Sequence, residues 1–307
     1  MTHTITLLER YQGCLCGLAV GDAVGTSVEF LPRDSFKPVT DMVGGGPFRL
    51  QPGQWTDDTS MALCLGVSLL EKDGFDPEDQ LERYIRWYRE GYLSSTGRCF
   101  DIGSTTLKGL IHYQKTGQAL MAESDEFSAG NGCIMRLGPV PLFFATNRSK
   151  AVYLGGQSSR TTHGAKKAIL CSQLFSEIIL NALDGCSKND ALTMVGNYPD
   201  FPEIAAIAQG DYQQKIRAEI KASGYVVNSL EAALWSFATT NNYREAILTA
   251  VNLGDDTDTT AAICGQVAGA YYGINSIPTH WQEKLIMREF ILDLAEKIYK
   301  KAGKLEV

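Results

Sequence analysis

Gly53-Gln54-Trp55-Thr56-Asp57-Asp58-Thr59 and Gly254-Asp255-Asp256-Thr257-Asp258-Thr259-Thr260 each gather aspartates and threonines just ahead of an apolar run. Hard divalent cations such as Mg²⁺ and Mn²⁺ prefer oxygen ligands in octahedral geometry. Adjacent carboxylates and hydroxyls supply several such oxygens from one short turn. Two turns of this kind, brought together, could hold two metals at the ~3.5–4 Å spacing of bimetallic hydrolysis. Threonine and aspartate are also good N-caps, and acids favour the first helical turn. Either segment alone therefore reads more readily as a cap. Capping needs only one or two of these side chains, however, and Asp255, Asp256 and Asp258 so close together repel one another without a cation. Taken as a pair, the segments point to metal binding.

Other candidates are weaker alone. Glu29, in Val28-Glu29-Phe30, and Asp101, in Cys99-Phe100-Asp101-Ile102-Gly103, are acids with apolar neighbours, and composition alone makes them surface acids or caps. His163 reads as a loop histidine. Gly130-Asn131-Gly132 reads as a turn, since Asn-Gly favours positive φ; such a turn exposes backbone N–H groups that can cradle an anion. His3, His112, His163 and His280 are scattered singly, which argues against a phosphohydrolase built on paired histidines. Cys64 and Cys264 sit in apolar runs as small hydrophobes, and Cys14 and Cys16 lack a second close pair with zinc spacing.

The elements that must position these groups are helical. Glycines at 13, 17, 21 and 25 share one helical face, and Ala261, Gly265, Gly269 and Gly273 repeat the pattern. Each glycine weakens a helix by about 1 kcal/mol relative to alanine, so the stripes predict two buried helices whose backbones come close. Further helices are predicted at Ser60–Lys72, Pro77–Glu90, Gly103–Lys115, Ala165–Ala182, Asn189–Gly196, Pro202–Lys221, Ser229–Thr239, Tyr243–Asn252 and His280–Lys301. Val43–Gly53 and Tyr153–Gly164 read as loops, and Gly224–Val227 shows only short alternation. No low-complexity linker divides the chain. The expectation is one all-α domain over 1–307, a compact orthogonal multi-helix bundle.

The chain's 307 residues carry a formal charge of -7 and are 44% hydrophobic. So acidic a chain lacks the broad positive field of a non-specific nucleic-acid binder, although bound metal can still invert the local sign of a site. GCLCGLAVG resembles a short signal segment, but Glu9 and Arg10 precede it and Asp22 follows it, so a mature helix is expected. No apolar run approaches the ~20 residues of a membrane span. These features lead to the expectation of a cytoplasmic protein, a monomer, with neither nucleic acid nor membrane as partner.

In order along the chain, Gly17–Glu29 (GLAVGDAVGTSVE), GQWTDDT, DIGST, GNGCIMR, Thr162-His163 and Asn252–Gly273 (NLGDDTDTTAAICGQVAGAYYG) resemble the ADP-ribosylglycohydrolases, most closely the bacterial dinitrogenase reductase-activating branch. The resemblance implies a compact all-α fold with two Mg²⁺ or Mn²⁺ ions that removes ADP-ribose from modified side chains, most readily arginine. Free ADP-ribose would be the product and an ADP-ribosylated protein the substrate. It implies metal ligands at Thr56, Asp57, Asp58, Asp256, Asp258 and Thr259, with Glu29 beside the metals and Asp101 at the ribose. Asn131, Gly132, Met135 and His163 would hold the phosphates and distal ribose, Gly103, Ser104 and Gly130 would also bind substrate, and Tyr225 would lie near it. Asp255 stands where the family usually has glycine, and Cys133 replaces a small residue. ADP-ribosyl-serine and O-acetyl-ADP-ribose are alternative substrates within the family, and a non-catalytic, toxin-neutralising binding protein is an alternative of another class.

Overall fold

A computed structural model describes residues 4–122, 129–194 and 198–303. The chain enters through a capping box at Thr6, whose Oγ1 accepts from the Glu9 N–H at 3.2 Å while Glu9 Oε2 accepts from the Thr6 N–H at 2.7 Å. This starts α1 (Leu7–Gly25). There follow α2 (Asp57–Glu71), α3 (Pro77–Glu90), α4 (Ser104–Thr116), α5 (Pro139–Phe143), α6 (Arg148–Ser159) and α7 (Lys166–Asp184). The chain continues through α8 (Lys188–Leu192), α9 (Pro202–Gln209), α10 (Val226–Ala238), α11 (Tyr243–Val251), α12 (Thr257–Tyr272), α13 (Thr279–Lys284) and α14 (Arg288–Ala302). Among the described residues there is no strand, only isolated bridges at Gly45–Leu50 and Gly130–Tyr225. The fold is all-α, as expected.

The glycine stripes explain the centre. A methyl group placed on Gly13 would lie 2.2 Å from the Gly269 carbonyl oxygen, on Gly17 2.3 Å from that of Gly265, and on Gly21 2.2 Å from that of Ala261. The partner numbers fall as the first numbers rise, so α1 and α12 run antiparallel with their backbones in direct contact. Both are buried along almost their whole length. The geometry has a consequence at one end: Gly25 closes against Asp258, where an added Cβ would meet the Asp258 Cα at 2.4 Å. The C-terminal end of α1 therefore meets the aspartates at the start of α12. Gly273, with φ 74°, ends α12, and its carbonyl carbon still lies against Gly13, 2.9 Å from where a Cβ there would stand.

Several expected elements change at places with a physical cause. Tyr153–Gly164 is helical through Ser159, not a loop, because Asn147 caps α6 and Gly155 packs on α7, 2.2 Å short of the Ser176 Oγ for an added Cβ. The helix expected over Pro202–Lys221 stops at Gln209, where Gly210 turns left-handed with φ 80°. The one expected over His280–Lys301 is broken into α13 and α14 by Met287 at φ 55°. There the Ile286 N–H donates to the Gly53 carbonyl at 3.0 Å, and the Ile286 carbonyl accepts from Trp55 Nε1 at 3.2 Å. The break thus braces the segment that leads into α2. The helix expected at Asn189–Gly196 covers Lys188–Leu192, and residues 195–197 lie outside the described ones. Gly224–Val227 forms no strand; Tyr225 pairs with Gly130 and Val226 begins α10.

Candidate active site

The carboxylates gather where α1, α2 and α12 meet. Asp22, in the last turns of α1, is fully buried. Its Oδ1 accepts from the Thr56 N–H at 2.9 Å and the Thr56 hydroxyl at 3.0 Å, and its Oδ2 from the Thr59 N–H at 3.1 Å and the Thr59 hydroxyl at 2.6 Å. A residue of α1 therefore caps α2, and Thr56, though it precedes the helix, makes no cap bond of its own. Glu29 does the same for α12: its Oε2 accepts from the Thr257 N–H at 2.7 Å, the Thr257 hydroxyl at 2.9 Å and the Asp258 N–H at 3.1 Å. Both acids sit at helix N-termini, where negative charge is favoured.

Threonine hydroxyls join the two Thr/Asp segments. Thr56 Oγ1 donates to Asp258 Oδ2 at 3.3 Å, and Thr259 Oγ1 to Asp58 Oδ1 at 3.3 Å. Asp57 and Asp58, some two hundred residues distant in sequence from Asp256 and Asp258, thus share one buried cluster. Oxygens of Asp22, Asp58 and Asp258 all lie within 4.8 Å of one another, as do those of Glu29, Asp256 and Asp258. Asp258 belongs to both groups. No Lys or Arg among the described residues forms an ion pair with any of these acids. An all-oxygen donor set without a counter-cation of its own suits hard divalent metals. The acidic clusters could hold metal ions.

Burial and mutual repulsion show in the acidities. Burial lifts Asp22 to about 6, against its hydrogen bonds from Thr59 and Thr56. Burial and then Asp256 lift Glu29 to about 7. Burial and then Glu29 lift Asp101 to about 8. Asp57, Asp58 and Asp258 are pushed well above the usual carboxylate range, first by burial and then by neighbouring acids.

Above the cluster opens a cavity of about 350 Å³. Glu29, Asp57, Asp101, Asp256, Asp258 and Thr259 line its acidic side, and Gly130, Asn131, Gly132, Met135 and His163 the other. Gly103 to Thr106, at the start of α4, complete the wall, so the N-terminal end of a helix faces the space. Thr56 and Asp58, both fully buried, lie beneath this lining. Tyr225 does not line the cavity; its backbone pairs with Gly130 and its ring lies beside Lys167. The Asn131-Gly132 pair takes no positive φ; it forms a 3₁₀ turn. That turn aims Asn131 Nδ2 at Asp256 Oδ2, 2.8 Å away, and at Ser229 Oγ, also 2.8 Å away.

Asp255 points away from the cluster and is exposed. Its backbone explains why glycine suits the position: φ is 63°, and the Asp255 N–H and carbonyl bond to Leu31 and Phe30. Aspartate tolerates this left-handed geometry better than most residues. Phe30 and Asp101 share it, with φ 64° and 61°. The sequence reading missed Asp22. Its position four residues before Thr26 on a glycine-striped helix was the available signal: an acid on an otherwise apolar, buried face must find donors.

Comparison with known proteins agrees with this architecture. The family model for ADP-ribosylglycohydrolase matches residues 3–306. The chain is 44% identical over 293 residues to the ADP-ribosylarginine hydrolase Tri1 of Serratia proteamaculans, an alignment that covers 95% of this chain and 79% of the relative. It is 30% identical to the ADP-ribosyl-[dinitrogen reductase] glycohydrolase of Rhodospirillum rubrum, over 91% of each chain. A solved structure described as an ADP-ribosylglycohydrolase-related protein complex superposes with a TM-score of 0.84 at 40% identity, covering 96% of this chain and 99% of the other. With this fold, this cluster and these relatives, the chain belongs to the ADP-ribosylglycohydrolase family.

Proposed function

We propose that this protein hydrolyses the N-glycosidic bond between ADP-ribose and arginine side chains, using two Mg²⁺ or Mn²⁺ ions. The observation that carries the proposal is the buried acidic cluster, whose two oxygen groups share Asp258 and lack any basic partner among the described residues. Thr56, Asp57, Asp58, Asp256, Asp258 and Thr259 would hold the ions, with Asp22 and Glu29 fixing the turns that carry them. When bound, such cations polarise substrate oxygens and lower the pKa of a coordinated water.

The chain's own residues divide the remaining work. The start of α4 and the turn at Gly132 would offer backbone N–H groups to the diphosphate, as helix N-termini do for anions, while the Asn131 N–H is committed to the Gly224 carbonyl. His163 and Met135 close that end of the cavity. Cleavage builds oxocarbenium character on the ribose, and the acidic wall of Glu29, Asp101 and Asp256 stabilises positive charge there. The C1′–N electron pair goes to the arginine nitrogen while water adds its oxygen at C1′. Arginine has a conjugate-acid pKa of roughly 12.5–13.8, so the departing nitrogen must take a proton. Asp101, which lines the cavity on its acidic side, can accept that proton from water and pass it on. Glu29 is committed through Oε2 to the start of α12, which suits an orienting role.

The relatives named as arginine hydrolases favour arginine over serine as the acceptor. The test offers arginine-linked and serine-linked ADP-ribosyl peptides with Mg²⁺, with Mn²⁺ or with EDTA, and follows free ADP-ribose. Metal-dependent release from the arginine conjugate is expected. Release that persists in EDTA ends the metal mechanism, and release from the serine conjugate alone transfers the activity to the other acceptor.

A further inference from the structure

Arg136 is fully buried and has no carboxylate partner among the described residues. Its Nη1 donates to the Gly132 carbonyl at 2.6 Å, its Nη2 to Thr162 Oγ1 at 2.6 Å and more loosely to Thr161 Oγ1 at 3.3 Å, and its plane lies 5.0 Å from the Tyr84 ring centre. Burying an arginine on neutral acceptors is costly, because no opposite charge offsets its desolvation. Nε has no partner, and Nη2 orients one hydroxyl, that of Thr162. Arginine can only donate, so Thr162 Oγ1 must accept from it, and the Thr162 hydroxyl proton is left to be placed. His163 Nδ1 lies 2.7 Å away and is the acceptor available for it among the described residues. Were Nδ1 instead to carry the proton, the Thr162 O–H would be buried with nowhere to donate, a penalty the other tautomer avoids.

We infer that Arg136 and Thr162 form a one-way hydrogen-bond relay that fixes His163 as the Nε2–H tautomer and presents that N–H, uncharged, to an acceptor oxygen in the cavity. The ring is placed for it: an added Cβ on Gly130 or on Gly132 would come within 3.2 Å of His163 Nε2, so the glycine turn leaves open the space this nitrogen faces. Burial and then Arg136 hold the imidazole well below its usual range, at about 3, so the ring stays neutral at working pH. Arg136 thereby contacts both walls of the anion-facing end, the Gly132 carbonyl on one side and His163 through Thr162 on the other. It acts as a positioning residue, and the ligand oxygen it serves, a phosphoryl or ribose oxygen of ADP-ribose, rests on the functional reading above.

Histidine tautomers are distinguished by long-range ¹H–¹⁵N correlation spectra of uniformly ¹⁵N-labelled full-length protein, with the His163 signals assigned by their loss in His163→Gln. The ligand-free wild type is expected to show the Nε2–H pattern unchanged from pH 5.5 to 8.5. Thr162→Val should lose that fixed pattern and bind ADP-ribose about tenfold more weakly by calorimetry in Mg²⁺, the loss of roughly one hydrogen bond. Thr162→Ser should restore both. An Nδ1–H or imidazolium pattern in the wild type overturns the relay whether or not the variants fold, and so does Thr162→Val with an unchanged pattern. Wild-type protein that binds no ADP-ribose but shows the Nε2–H pattern supports the relay and sinks the functional reading instead.

Discussion

Asp22 shows how much of the site depends on a residue outside the acidic motifs. All of its hydrogen bonds come from Thr56 and Thr59, which flank Asp57 and Asp58. An isosteric Asp22→Asn change keeps the volume but makes one side of the group a donor facing N–H and O–H donors, so the start of α2 must shift. Partners of metal ligands typically contribute 10–100-fold to metal affinity. Asp22→Asn is therefore expected to weaken Mn²⁺ binding by about 10–100-fold in a calorimetric titration, and an affinity equal to wild type would show that Asp22 does not set the ligand geometry. Asp58→Ala and Asp256→Ala should each abolish metal-dependent release of ADP-ribose while the helical circular dichroism persists. Normal turnover of both variants in metal-depleted buffer would remove the bimetallic mechanism. The Thr/Asp segments were legible in the sequence because clustered acids ahead of a helix exceed what capping needs. Asp22 and the Arg136–Thr162 relay were not, since each depends on which distant hydroxyls and amides the fold places beside it.

At the scale of elements, the glycine stripes set how close the two central helices lie, and so where the ends bearing Asp22, Glu29 and Asp258 meet. Periodicity was enough to predict that contact, because a run of helix-weakening residues on one face has little other physical reason. It could not give the antiparallel register, which Gly13–Gly269, Gly17–Gly265 and Gly21–Ala261 reveal. Glycine misled elsewhere: Gly155 and Gly156 suggested a loop although they pack inside α6. Breaks at Gly210 and Met287 were hidden because helix-forming residues continue past them. Two alanine substitutions separate contact from propensity. At Gly66 the added carbon would meet the Leu294 Cδ2 at 2.9 Å, the mobile end of a side chain. The helical gain of about 1 kcal/mol then offsets the rearrangement, and the melting temperature of Gly66→Ala should lie close to wild type. At Gly17 the carbon meets a backbone carbonyl at 2.3 Å, which only separation of the helices can relieve. Gly17→Ala is expected to lose about 1–3 kcal/mol, the usual cost of overpacking, and to weaken metal binding at the far end of the same contact. Thermal unfolding and Mn²⁺ titration check both, and equal stability of the two variants would mean the helices are not held at backbone distance.

Across the whole molecule, metal in the buried acidic cluster would couple folding to cation binding, and the sign of that coupling can be worked out. In the metal-free protein Asp22, Glu29 and Asp101 titrate at about 6, 7 and 8, whereas free carboxylates lose their protons near 4. The folded state therefore binds more protons than the unfolded chain between about pH 4 and 8, and stability falls as pH rises through that window. The penalty is absent below the unfolded values and complete above the folded ones. Cations held by the cluster would reverse this dependence, because they bind ionised carboxylates and are opposed by protons. Metal should thus contribute little near pH 5 and most near pH 8.5, with protons released on binding. Melting temperatures measured in Mg²⁺ and in EDTA should diverge steadily from pH 5 to 8.5, the EDTA curve falling. In Asp58→Ala and Asp256→Ala the separation should shrink, because fewer oxygens remain for the cation. If the two curves run parallel over this range in the wild type, or converge as pH rises, the cluster is not neutralised by metal. Its acids would then have to be held by protons alone, and a hydrolase whose ligands stay protonated at neutral pH would have no way to bind its ions.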